Sequence, residues 1–305
     1  MLTKISAAWS GELELDYRVG AIMVAASGVL FSFTAVCFRA LESATDWQFL
    51  AARAAGALTA MAVIIVLRAG RRPVPLRDIG WRTGLAGVLL AAMSVLYILA
   101  FARTSVATVT FLLAAGPLSG AFFGRVVLGE RLTRRTVTAI VVAGIGIAIM
   151  AARGIDTGKV DGFLLAAVIP AIIGLYNVLV RSTPRVDPVV PAVISNAVVL
   201  PLTIVAAFAG AGLGMPVRDA AIGFAAGFVL IGIGLPLYNL GHRSVPTAQI
   251  SLLIMTESVL SPLWVWIWPG ETPAGATLLG GALVVGAVVY QIVSADRVPL
   301  RQPTV

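Results

Sequence analysis

Glu257 is a single carboxylate within nineteen residues, 250–268, that otherwise read as an apolar helix dotted with Ser251, Thr256, Ser258 and Ser261. Three chemistries are open to an acid in such a place: exchanging a proton, attracting an amine, or pairing with a buried cation. On helical spacing Ile250, Leu253, Glu257, Ser261 and Trp264 share one face. Ser94, Tyr97 and Phe101 share a face of a second apolar run, and Tyr238 and His242, four apart, share a face of a third. Tyr176, Asn177 and Asn239 add further hydrogen-bonding side chains inside apolar runs. For each of them a place at the cavity competes with plain interhelical hydrogen bonding. A cavity lined by these aromatic rings and polar tips would hold an apolar or aromatic side chain while fixing an amino or carboxyl group. The predicted substrate pathway is therefore Glu257, Tyr97, Tyr238, Asn239, His242, Tyr176, Asn177, Ser94 and Trp264. Arg53, about six residues into its own apolar run, either extends its guanidinium to the outer surface or pairs with Glu257 or an anionic substrate group.

Enzymatic chemistry lacks its parts. The chain has one histidine, His242, and one cysteine, Cys37, so neither a disulfide nor a Cys/His metal site can be assembled. No pair of acids lies within the apolar runs, and both lysines lie outside them, which leaves no aspartyl dyad and no lysine base for a serine nucleophile. There is no phosphate-binding loop for ATP. The reading is a non-enzyme without cofactor or metal. Glycine pairs such as Gly144 and Gly146, or Gly280 and Gly281, read as close helix packing instead of phosphate binding.

The elements that must position these groups follow from composition. Hydrophobic residues make up 59% of the 305, and charged residues only 12%, where soluble chains average about 25% charged. The net charge of +8 is not gathered into a nucleic-acid-binding stripe; the basic residues punctuate apolar runs. Those runs, each long enough to cross about 30 Å of hydrocarbon as a helix, fall near 19–41, 47–68, 79–101, 105–128, 134–152, 160–181, 188–210, 218–240, 246–269 and 273–295. The prediction is an all-α integral membrane protein of ten transmembrane helices. No short apolar segment with a cleavage site precedes the first run, which is expected to act as the anchor. With the N-terminus inside, sixteen of the 22 Lys and Arg residues fall on the cytoplasmic side and five on the other, Arg53 being left out. Both termini are thus placed in the cytoplasm.

The chain also repeats itself. A shift of 141 residues superposes Glu130 on Glu271, Asp46 on Asp187, Arg77-Asp78 on Arg218-Asp219, Leu96-Tyr97 on Leu237-Tyr238 and Gly129 on Gly270. Six of fourteen acidic residues fall into that register, which identifies an internal duplication. Five spans per half force the second half to enter the membrane upside down, the plan of transporters whose site lies between inverted repeats. The predicted organisation is a cytoplasmic segment 1–18, a first five-helix repeat 19–152, a linker 153–159, a second repeat 160–295 and a cytoplasmic tail 296–305. In this register the mate of Glu257 is Gly116. Glu130 and Glu271 fall at span ends and read as structural or gate-adjacent, with Thr133 and Thr272 able to start the helices that follow.

Ten spans in two halves, with Leu128-Gly-Glu-Arg-Leu132 closing the fourth and Pro269-Gly-Glu-Thr-Pro273 closing the ninth, resemble the EamA-like branch of the drug/metabolite transporter superfamily. The chain looks most like its YddG-type amino-acid exporters. Members carry a proline near the middle of the fourth and ninth spans. Gly116-Pro117 keeps it, whereas Glu257-Ser258 lacks it and Pro262 follows four residues after Ser258, so the second bend is expected about one turn late. The resemblance implies a monomeric inner-membrane exporter of amino acids and related metabolites, with the lipid bilayer as its surroundings. A multidrug or cationic-compound exporter and a passive channel are the alternatives.

Overall fold

The computed structural model describes residues 16–69, 80–104, 106–113, 116–129, 133–151, 160–183, 186–268 and 275–293. Within them the chain is helical throughout: α1 (Tyr17–Arg39), α2 (Asp46–Ala69), α3 (Trp81–Arg103), α4 (Val106–Leu113), α5 (Gly116–Leu128), α6 (Arg134–Ala151), α7 (Val160–Arg181), α8 (Val190–Phe208), α9 (Val217–Ala225), a π-helical turn (Ala226–Ile231), α10 (Gly234–Gly241), α11 (Thr247–Leu253), α12 (Thr256–Ile267) and α13 (Gly275–Val293). Helices are what such runs must form, because in hydrocarbon each backbone N–H and C=O needs a partner within its own segment. Six stretches are long and apolar enough to cross a membrane: Tyr17–Arg39, Asp46–Leu67, Trp81–Arg103, Leu164–Arg181, Val190–Phe208 and Val217–Gly241. Large apolar side chains such as Leu67, Val205 and Phe208 face outward, as a lipid-facing surface requires.

Local chemistry sets the helix ends. Thr45 and Gln48 form a reciprocal cap on α2: the Thr45 N–H donates to Gln48 Oε1 at 2.8 Å and the Gln48 N–H to Thr45 Oγ1 at 3.3 Å. Thr133 caps α6 by accepting the Thr136 N–H at 3.1 Å. Gly129, immediately after α5, has φ +67°, a left-handed conformation that ends the helix and strains any residue with a Cβ. That accounts for the glycine of the first Gly-Glu pair. Glu130, Glu271, Thr272, the 153–159 linker and both terminal segments up to residue 15 and from 294 lie outside the described residues.

Packing brings distant segments together. The principal pairs are α6 with α13, α3 with α7 and α8, α5 with α7 and α11, α2 with α8, α9 and the π-turn, α1 with α10 and α12, and α4 with α12. Two runs predicted as single helices are interrupted within the described residues: 218–240 at residues 232–233, between the π-turn and α10, and 246–269 at Ile254–Met255, between α11 and α12. The second interruption comes ahead of Glu257 and not one turn late at Pro262. At this break the Met255 N–H bonds to Leu252 O (3.2 Å) and the Glu257 N–H to Ile254 O (3.0 Å), tightened turns that do not continue the α ladder. Gly28 of α1 packs directly on it, with room for a Cβ only 3.3 Å from Ile254 O. Pro262 instead sits inside α12, where its missing N–H releases the Ser258 carbonyl.

Candidate functional site

The break at Ile254–Met255 makes Glu257 the second residue of a half-helix. Its carboxylate therefore lies at the positive end of a helix dipole and not at mid-helix. Glu257 is 8% exposed and accepts a hydrogen bond of 2.5 Å from the Tyr97 hydroxyl. One turn earlier on α3, Ser94 accepts a 2.5 Å hydrogen bond through Oγ from Arg53 Nη2, which also approaches the Ser94 carbonyl at 3.4 Å. Arg53 is 4% exposed; its guanidinium turns inward, so the outward-reaching alternative does not describe it. The π-turn packs against the backbone of Arg53 at Gly227, which holds this part of α2 in place.

These groups line a central cavity of about 950 Å³ counted out to its mouth. Ser94, Tyr97, Tyr176, Tyr238 and Glu257 line it together with Arg53, Gly116 and Ser258. The rest of its wall is mostly apolar, with Phe31, Leu90, Met93, Ile169 and Ile173 among its members. Thr34, Ser195 and Asn196 supply the other polar tips. An apolar wall with a few convergent polar tips is the lining that suits a small organic molecule. A Cβ at Gly116 would meet nothing within 4 Å, so the mate of Glu257 is a stretch of bare backbone at the same cavity.

Behind Tyr176 and Tyr238 lies a second polar cluster. The Tyr238 hydroxyl donates to Asn177 Oδ1 at 2.6 Å, and the Tyr176 hydroxyl donates to Asn239 Oδ1. Asn239 Nδ2 donates to Pro188 O at 2.7 Å. His242 Nδ1 lies 2.9 Å from Tyr238 O, and its Nε2 lies 3.2 Å from the side-chain amide of Asn177. The rings of Tyr176 and Tyr238 are parallel within 9°. Asn239 and His242 border a separate small pocket with Asp187, Pro188 and Arg243, and Asn177 is fully buried. These three residues of the predicted set do not line the central cavity. Their two tyrosine neighbours connect it to them.

Trp264 is elsewhere. Its ring stacks on Phe33 with centroids 4.7 Å apart, and its Nε1 donates to Ser32 Oγ at 2.8 Å. The break separates Ile250 and Leu253 from the rest of the predicted face; beyond Glu257 the same face of α12 packs on α1, where Ser261 Oγ donates to Ser32 O at 3.3 Å. Phe101 is buried in the core, its ring centroid 4.4 Å from that of Tyr97. Sequence reasoning also left Asp219 without a role beyond its register. It is fully buried and accepts backbone N–H bonds from Glu42, Ser43 and Ala44 at 2.9–3.2 Å, pinning the turn between α1 and α2 to the start of α9.

A sequence profile of the EamA-like transporter family matches residues 18–152. One solved crystal structure, whose title describes it only as that of a protein, is 22% identical, with a TM-score of 0.74, and the match covers 90% of this chain and 99% of that one. It shares the fold. No curated protein matches the chain. Residues 18–152 are thus similar to the EamA-like transporter family, and the long apolar helices are those of a multi-pass membrane protein.

Proposed function

We propose that the protein is a secondary transporter that exports amino acids, of aromatic or apolar side chain or of broad range, and related small metabolites across the inner membrane. It works by alternating access through the central cavity between two inverted five-helix repeats, 19–152 and 160–295, with both termini in the cytoplasm, and acts as a monomer. Ten crossings follow when α4 with α5, α9 with the π-turn and α10, and α11 with α12 are each taken as one interrupted span. Replacing every helix by its mate 141 residues away then converts the packing scheme into itself. The α3–α7 pair becomes α10–α1, α5–α7 becomes α12–α1, and α3–α8 becomes the packing of α9 and the π-turn on α2. Likewise α5–α11 becomes α12–α4, while α2–α8 and α6–α13 map onto themselves. A duplicated, inverted scaffold has this exchange symmetry, and it lets two access states use equivalent contacts.

The observation that carries the reading is Glu257, buried and hydrogen-bonded to Tyr97 at the wall of a cavity that both halves enclose. Intramembrane ionisable residues mark substrate or ion pathways because their desolvation is otherwise uncompensated. Tyr176, Tyr238, Asn177, Asn239 and His242 gate one end of the cavity. Their mates Ala35, Tyr97, Val36, Ile98 and Phe101 make the opposite end mainly apolar. A cationic-compound exporter would use Glu257 and the same rings, but a guanidinium at the same wall counts against it. The test is counterflow of labelled amino acids in proteoliposomes. Saturable exchange supports the reading; no saturable exchange across a broad panel refutes it, and flux that neither saturates nor exchanges identifies a channel.

A further inference from the structure

The cavity contains two opposite charges arranged for a ligand that carries both. Arg53 comes from α2 and Glu257 from α12, and each is held by α3: Arg53 by Ser94 and Glu257 by Tyr97. Ser94 and Tyr97 are three residues apart, so they stand on one face of α3 with Cβ atoms about 5–6 Å apart. The two charged groups are thereby offset by about one helical turn along the same wall. Among the described residues no direct ion pair joins them, although both line the cavity and both are nearly inaccessible. Among the described residues, Arg53 uses only Nη2 of its donors, and only Oε1 of Glu257 is bonded. A guanidinium has five N–H donors and a carboxylate two oxygens, so each side retains capacity facing the cavity.

Resting on the amino-acid reading above, we propose that Arg53 and Glu257 form a zwitterion site. Arg53 binds the α-carboxylate and Glu257 the α-ammonium of one substrate molecule, while the substrate side chain lies against Phe31, Leu90, Met93, Ile169 and Ile173. Separated buried charges are costly until each meets its counter-charge. A zwitterion supplies both counter-charges at once with no net charge moved. A free amine or a free carboxylate supplies one and leaves the other uncompensated, so the site rejects single-ended analogues more strongly than it distinguishes apolar side chains. Ser94 and Tyr97 are positioning residues in this arrangement.

Competition in proteoliposome counterflow tests it, with labelled L-phenylalanine as the transported species. The competitors are L-phenylalanine, L-phenylalaninamide and phenethylamine, which lack the carboxylate, and N-acetyl-L-phenylalanine, which lacks the ammonium. In the wild-type protein the three analogues should compete at least about tenfold more weakly than the parent, the ratio that one lost charge-assisted bond produces. Arg53→Gln should remove the preference for the parent over the amide and leave that over the N-acetyl compound. Glu257→Gln should do the reverse. Where either variant fails to give a monodisperse protein, Ser94→Ala and Tyr97→Phe replace them, the first shifting only the amide ratio and the second only the N-acetyl ratio. Equal competition by all four compounds in the wild-type protein overturns the zwitterion site while leaving amino-acid transport standing. So do variants that weaken all competitors alike. Absence of amino-acid counterflow in the wild-type protein defeats the transport reading itself and the site with it.

Discussion

Replacing Gly227 by alanine should disable the cavity from outside it. Gly227 lies in the π-turn packed on α2, and a Cβ there would stand 2.7 Å from the carbonyl carbon and 2.9 Å from Cα of Arg53, with the carbonyl oxygen nearer still. Carbon atoms in ordinary contact are about 3.5–4.0 Å apart. The added methyl therefore requires the two backbones to separate by about 1 Å, and backbone cannot swing aside as a flexible side chain can. Overpacking of this kind costs about 1–3 kcal/mol, a fall of about 3–10 °C in melting temperature by the scaling of mid-sized domains. The same displacement withdraws the Arg53 guanidinium from Ser94 Oγ, a 2.5 Å contact that does not survive it. Losing one hydrogen bond to a charged group, about 1.5–3 kcal/mol, should raise KM for the transported amino acid about tenfold or more. Gly144→Ala in α6 is the control, because a Cβ there meets nothing within 4 Å and alanine favours the helix by about 1 kcal/mol. Melting in detergent followed by counterflow kinetics provides both readouts. If the two variants melt together and both keep wild-type KM, the close approach at Gly227 does not position Arg53.

Tyr97→Phe removes the donor to Glu257 and should lower kcat/KM for ammonium-bearing substrates about tenfold to a hundredfold, read by counterflow. Trp264→Phe preserves the stack on Phe33 but loses the bond to Ser32; it should cost about 1 kcal/mol of stability in thermal melts with KM unchanged. Asp219→Ala strips the acceptor from three backbone N–H groups and should lower the melting temperature more than any exposed substitution, whereas Glu42→Gln, which breaks only the exposed pair with Arg218, should shift it little. With equal pH on both sides of the membrane, protonation removes the charge on Glu257, so amino-acid counterflow should decline as pH falls. Glu257→Gln should stay flat over the same range at the low-pH level, and a parallel decline in both proteins would refute the assignment.

The apolar runs were legible because their signal is composition summed over about twenty residues, and the helices formed within a few residues of where hydropathy placed them. The breaks were not legible in the same way. Ile254 and Met255 are ordinary helix formers, and nothing in their propensity interrupts a helix. At Ile254–Met255 the interruption coincides with the backbone of α1 approaching at Gly28, a tertiary effect outside the reach of local periodicity. Glu257 and Trp264 share a face of α12, but Trp264 lies two turns farther along it, where that face has passed from the cavity onto α1. Polar type was a better guide than helical face: Ser94, Tyr97, Tyr176, Tyr238 and Glu257 meet at one cavity, whereas behind it Asn177 and Asn239 accept from the two tyrosines, and Asn239 and His242 bond backbone carbonyls. Phe31 and Met93 line the same wall with nothing in the sequence to separate them from packing residues.

Under the proposed exchange of halves, the polar groups are conspicuous for lacking mates. Arg53 corresponds to Ile194, Ser94 to Leu235 and Glu257 to Gly116; Asn177 corresponds to Val36, Asn239 to Ile98 and His242 to Phe101. Tyr97 and Tyr238 are the exception, and they use the same hydroxyl for different ends, one bonding Glu257 and the other Asn177. The two properties answer different physical demands. Interconversion between two access states needs packing of nearly equal free energy in both, which duplicated helix contacts provide. A bipolar ligand needs a fixed direction, and a pair of like sites related by a two-fold axis would bind it equally well in either sense. In the proposed transporter, placing the cation, its serine and the carboxylate each on one side of the symmetry would give the ligand a single orientation without disturbing the apolar contacts that the two halves share. Gly116 marks how small that departure is: where its mate carries a carboxylate into the cavity, it contributes no side chain at all.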